Sequence, residues 1–79
     1  MTVYHLHLFN DDDVLDEEGQ EFADLDMAER EAIRNARDVI AEHVRHGHPI
    51  NLNHRVEIAD ANGTILKVVQ FGDCVCFAR

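Results

Sequence analysis

The chain has 79 residues, 46% of them hydrophobic and 29% charged, a balance carried by folded domains, since disorder needs low hydrophobicity together with high net charge. Seven Lys and Arg against sixteen Asp and Glu leave a net charge of −9, which argues against direct binding to nucleic-acid phosphates or anionic membranes. A single domain over residues 1–79 is expected, and so short a chain buries only about 60% of the surface its unfolded form exposes, so extra burial in a homodimer is expected too.

Charge is laid out unevenly. Residues 1–29 hold ten acids and no Lys or Arg, a charge of −10, whereas residues 30–79 hold six acids and seven bases, a charge of +1. No stretch approaches the roughly 20 apolar residues that span a bilayer. Met1 to His5 lacks the basic start and apolar run of a secretion signal, and a cytoplasmic location is expected.

Val3 to Phe9 alternates Tyr4, Leu6 and Leu8 with Val3, His5, His7 and Phe9, the period of a strand. Asn10-Asp11-Asp12-Asp13 is turn chemistry, because short Asx side chains bond their own backbone. Val14 and Leu15 resume an extended run, Glu18-Gly19 offers a turn or bulge, and Gln20 to Phe22 closes a first, acidic hairpin. Asp24 or Asp26 starts a helix, Asp26 having Glu29 three residues on in a capping-box arrangement. At 100° per residue, Leu25, Ala28, Ala32, Ile33, Ala36, Val39, Ile40 and Val44 share one stripe of about 160°, and Gly47 and Pro49 end the helix. His54 to Ala59 and Thr64 to Phe71 are rich in Val and Ile around Asp60-Ala61-Asn62-Gly63, a second hairpin with its turn. Gly72-Asp73 breaks it, and Cys74 to Phe77 reads as a short final strand. The order ββαββ(β) is an α+β fold, one antiparallel sheet with a single helix packed across one face.

His5-Leu6-His7 and Cys74-Val75-Cys76 each put two soft zinc ligands on one strand face, so His5, His7, Cys74 and Cys76 are the rival metal site. The usual spacing of two to four residues between zinc cysteines is missing, and the reading taken is no metal and no cofactor. Asp11, Asp12, Asp13, Asp16, Glu17 and Glu18 fail the calcium-loop pattern, because position 5 counted from Asp11 is Leu15 and position 6 is Asp16. They read as a solvated acidic surface for a protein partner. Arg30, Arg34, Arg37 and Arg45 form a basic flank within about 80° of the helix surface, suited to pairing with carboxylates of the first hairpin or to self-association. His43 falls near the centre of the apolar stripe and is the candidate pH-sensitive residue. The chain has no Ser, its Thr residues are Thr2 and Thr64, and its four Gly are isolated. Neither a nucleophile arrangement nor a phosphate loop is therefore specified, no catalytic residue is assigned, and no enzyme is expected.

The segments Tyr4 to Leu8, Asp16 to Phe22, Ala28 to Ala32 with Ala36-Arg37, and His54 to Asp60 with Gly63 resemble a family of small bacterial proteins known as a domain of unknown function. The resemblance runs over about residues 4–71. It implies the same hairpin, helix, hairpin order and no activity or catalytic residues. The reading taken is a non-enzymatic acidic protein-interaction domain. An acidic mimic of nucleic acid that blocks a basic groove, and a small zinc protein, are the alternatives.

Overall fold

The computed structural model describes residues 1–78. Its elements are β1 (Thr2–Phe9), β2 (Asp13–Val14), β3 (Gln20–Phe22), α1 (Leu25–Arg45), β4 (Arg55–Ala59), β5 (Ile65–Gln70) and a 3₁₀ turn, Phe71–Asp73. The strands form one antiparallel sheet in the order β2-β1-β4-β5, with β3 also on β1. This is the α+β arrangement expected, with strands before and after a single helix.

Helix α1 begins at the earlier of the two acids: Asp24 is the cap, its Oδ1 accepting the Met27 N–H at 2.9 Å. Asp26 lies inside the first turn, where its charge meets the helix dipole favourably. The C-terminus closes as a Schellman motif, His48 N–H donating to the His43 carbonyl and Gly47 N–H to the Val44 carbonyl, with Gly47 at φ +69°. Ala28, Ala32 and Ala36 are wholly buried along the face that meets the sheet, and Ile40 is nearly so. Small side chains there let the helix axis lie close to Tyr4, Leu6, Val56, Ile58, Val69 and Phe71, which complete the core with Cys74. Removing the apolar part of a core side chain from water contributes roughly 25 cal/mol per Å².

Strand parity follows. Tyr4, Leu6, Val56, Ile58 and Val69 point to the helix, so His5, His7, Phe9, Arg55, Glu57, Ile65, Val68 and Gln70 stand on the other face. On β1 and β4 the open face carries His5 and His7, an Arg55–Glu57 ion pair at 2.6 Å, and the Arg55 guanidinium over the Phe9 ring. On that face β5 leaves Ile65 and Val68 exposed, at 46% and 45%, with the bulged Leu66 exposed between them.

The expected strand at Cys74 to Phe77 does not form. Gly72 and Asp73 turn the chain helically, Cys74 N–H donates to the Phe71 carbonyl, and the Cys74 carbonyl is taken by Arg37 Nε at 2.8 Å, so both backbone groups of Cys74 are committed away from a ladder. The second hairpin turn is as expected. Asp60 Oδ1 accepts the N–H groups of Asn62 and Thr64, and Gly63 takes φ +84°.

Candidate functional site

Antiparallel geometry alternates the direction of backbone groups along β1. Residues 5, 7 and 9 face β4, so 4, 6 and 8 face the outer edge. There Tyr4 is opposite Gln20 of β3 and Leu8 is opposite Val14 of β2. Between them lies a gap, and Leu6 has no strand partner on that side.

Asp16 fills it. Its Oδ2 accepts the Leu6 N–H at 3.2 Å, in place of the carbonyl that a continuous neighbouring strand would supply, and its Oδ1 accepts the Gly19 N–H at 2.9 Å. The Asp16 backbone is clasped as well. His5 Nδ1 lies 2.7 Å from the Asp16 carbonyl and His7 Nδ1 lies 3.0 Å from the Asp16 N–H. A carbonyl only accepts and an amide only donates, so His5 carries its proton on Nδ1 and His7 presents a lone pair there, with its proton on Nε2. The two rings stack with centroids 6.2 Å apart. Gly19 turns the loop back at φ +77°, where a Cβ would come within 2.6 Å of Val3 Cγ1. Over this loop a cleft of 310 Å³ is lined by His5, His7, Asp16, Glu17, Asp60 and Gly63 among others.

Around the clasp the acids face water. Asp11, Asp12, Asp13, Glu17 and Glu18 are all exposed. Among the described residues Asp12, Asp13, Glu17 and Glu18 make no ion pair, and Asp11 reaches only His54 Nε2, at 4.0 Å. A second cleft, of 530 Å³, opens between Asp11 and the 48–54 loop, with His48, Ile50 and Leu52 on its wall. The His54 Nδ1 beside it is buried without a partner among the described residues.

The basic flank does not reach the hairpin carboxylates. Arg34 pairs with Glu31 and Arg45 with Glu42, each three residues away on the helix, while Arg37 is committed to the Cys74 carbonyl. Short i,i+3 geometry within one helix costs less side-chain ordering than a reach to another element. Arg30 is exposed, with no ion pair among the described residues. His43 is half-buried at the end of the stripe, its Nδ1 3.3 Å from the Pro49 carbonyl and its ring edge-on to His48.

The four residues of the zinc alternative are not brought together. His5 and His7 stand on the open face with both Nδ1 atoms engaged by Asp16, while Cys74 is packed in the core under the helix. Among the described residues no group of three or more His, Cys, Asp or Glu is placed to hold a metal ion. Cys74 and Cys76 are free thiols, the first buried and the second exposed. Burial pushes the Cys74 thiol above its ordinary value, Arg37 opposing and Asp73 adding to the effect. On the helix face Lys67 is bound to the Glu29 carboxylate, which raises the ammonium above its ordinary value.

In the sequence Asp16 is one acid of a run. The signal that separates it is the spacing His5-x-His7 and Asp16-x-x-Gly19: two side chains on one strand face, and an acid three residues before a glycine able to take positive φ.

A five-stranded antiparallel sheet crossed by one helix, its first-strand edge closed by a carboxylate, defines a small α+β domain with an acidic loop held in one conformation. The chain belongs to a family described as Domain of unknown function (DUF6894), whose model matches residues 3–72. That span holds both hairpins, the helix and the Asp16 clasp, and stops before Cys74 and Cys76. No curated protein and no solved structure matches the chain.

Proposed function

We propose that the chain is a non-enzymatic protein-interaction domain that offers its acidic edge to a basic surface of a protein partner. The observation that carries this reading is the pinning of the Asp16 loop by four polar contacts while Asp12, Asp13, Glu17 and Glu18 beside it are exposed and unpaired among the described residues. Fixed charges lose little conformational entropy on docking, and like-signed carboxylates on one edge steer an oppositely charged partner. Two free cysteines fit a reducing, cytoplasmic setting.

The test is titration of the whole chain with a Lys/Arg-rich peptide, followed by calorimetry at about 50 and 200 mM salt. Binding that weakens several-fold with salt, and again in a Glu17→Lys, Glu18→Lys variant, is the expected result. Binding that is absent, or indifferent to both changes, overturns the reading. The nucleic-acid-mimic alternative makes a further demand: the chain must displace duplex DNA from a basic DNA-binding groove.

A further inference from the structure

At the other side of the sheet, β5 has no outer neighbour among the described strands. Phe71 N–H donates to the His54 carbonyl at 2.8 Å, which sets the alternation of this strand: residues 67, 69 and 71 turn their backbone groups to β4, Val68 and Gln70 turn theirs outward, and the bulge that sets Ile65 opposite Ala59 breaks the alternation at Leu66. Such edges are ordinarily blunted by shortness, charge, proline or a bulge. Here the strand is six residues long, Ile65-Leu66-Lys67-Val68-Val69-Gln70, with no proline, its bulge at Leu66 near the turn, and its one charge, Lys67, held on the helix face by Glu29. By contrast β2, on the acidic side, is two residues.

We propose that β5 pairs antiparallel with β5 of a second copy, about a two-fold axis through Val68, so that one sheet runs across both chains. Three features select a second copy as the occupant. The side chains that accompany the outward backbone groups are Val68 and Gln70, apolar or neutral, so the edge attracts an apolar strand rather than a basic segment, and β5 is itself such a strand. Centring the pair on Val68 sets Leu66 opposite Gln70 and Lys67 opposite Val69 of the second copy, with no like charges facing, whereas centring it on Lys67 opposes two ammonium groups. Charge layout favours the same arrangement. The acidic edges become the two outermost strands of the joined sheet, about 34 Å apart at about 4.8 Å per strand, several Debye lengths at physiological salt.

Pairing of identical edges is isologous and consumes the long free edge of both copies, so it stops at a dimer. The Gln70 carbonyl already accepts from Cys74 Sγ at 3.3 Å and the bulge interrupts the edge at Leu66, so the ladder rests on the Val68 pair, each Val68 N–H donating to the Val68 carbonyl of the second copy. The inference does not depend on what the acidic edge binds.

Sedimentation of the whole chain between about 1 and 200 µM is expected to show the mass rising from 9.0 kDa to twice that value, and Val68→Lys is expected to raise the dissociation constant at least about tenfold by placing two ammonium groups at the axis. Hydrogen exchange on the unaltered chain supplies the second reading. The Val68 amide should be protected at high concentration and released on dilution, while Val69, bonded to β4, stays protected throughout. A monomer over the whole range overturns the proposal. So does a dimer whose Val68 amide exchanges freely, since that dimer uses another surface.

Discussion

At the outer edge of β1 the Leu6 amide meets the Asp16 carboxylate at 3.2 Å, whereas at the outer edge of β5 the amides of Val68 and Gln70 face outward with no strand beside them among the described residues. Both strands carry the same obligatory donors and acceptors. The first edge is closed from within the chain, by two short strands and one acid between them, and is surrounded by charge. The second is continuous, nearly uncharged and open. An interrupted edge can thus be completed by a single side chain, because one carboxylate supplies the acceptor that a missing residue of strand would have supplied. A longer edge offers several donors and acceptors at strand spacing, and another strand completes it.

Removing the carboxylate that closes the first edge should have the largest effect. Asp16→Ala leaves the Leu6 and Gly19 amides without acceptors in a part-buried place, and a loss of about 2–3 kcal/mol is expected in urea unfolding. Asp16→Asn keeps a side-chain oxygen and should lose less. Equal losses in the two variants would mean that the gap is satisfied by water and the carboxylate is incidental.

Gly19→Ala should follow, at about 1 kcal/mol or more, because it forces an L side chain to φ +77° against Val3. A neutral result would show that the loop relaxes freely, contrary to its pinning. His7→Phe keeps the ring and deletes the acceptor for the Asp16 amide. The expected consequence is local, a roughly tenfold faster exchange of that amide at nearly unchanged global stability.

Two smaller effects belong to the β5 side. The Lys67 ammonium is raised above its ordinary value by Glu29, so its contribution to stability is fully present below the unfolded lysine value of about 10.4 and is lost as pH rises through the folded one. Lys67→Met should flatten that alkaline limb. If the limb is unchanged, the pair with Glu29 does not contribute. The Cys74 thiol is likewise raised, by burial, so the unfolded chain ionises first and stability falls as pH climbs above the unfolded thiol value of about 8.5. In a thiol-alkylation time course at neutral pH, exposed Cys76 should react first and Cys74 only as the chain opens.

Much of this architecture is legible in local pattern. The alternation from Tyr4 to Leu8 and the Val/Ile runs around Asp60 to Gly63 mark strands, because a half-buried pleated surface imposes period two. The alanine stripe with Asp24 before it and Gly47 after it marks the helix, because capping and packing are written within a few residues of each end. The basic flank was misassigned to the hairpin acids for a different reason: pairing across elements depends on distances that spacing along one helix does not contain.

What the sequence determined by itself is thus every element whose stability comes from its own period, caps and turns: β1, the helix, the second hairpin and the concentration of acid before residue 30. Tertiary structure decided the rest. It turned Asp16 from one acid among ten into the closure of an edge, sent Cys74 into the core away from His5 and His7, and left β5 with an open side. Each of these depends on which strands become neighbours, and strand order is settled by burying one apolar face of the sheet under the helix, a condition on the whole chain that no short stretch of it expresses.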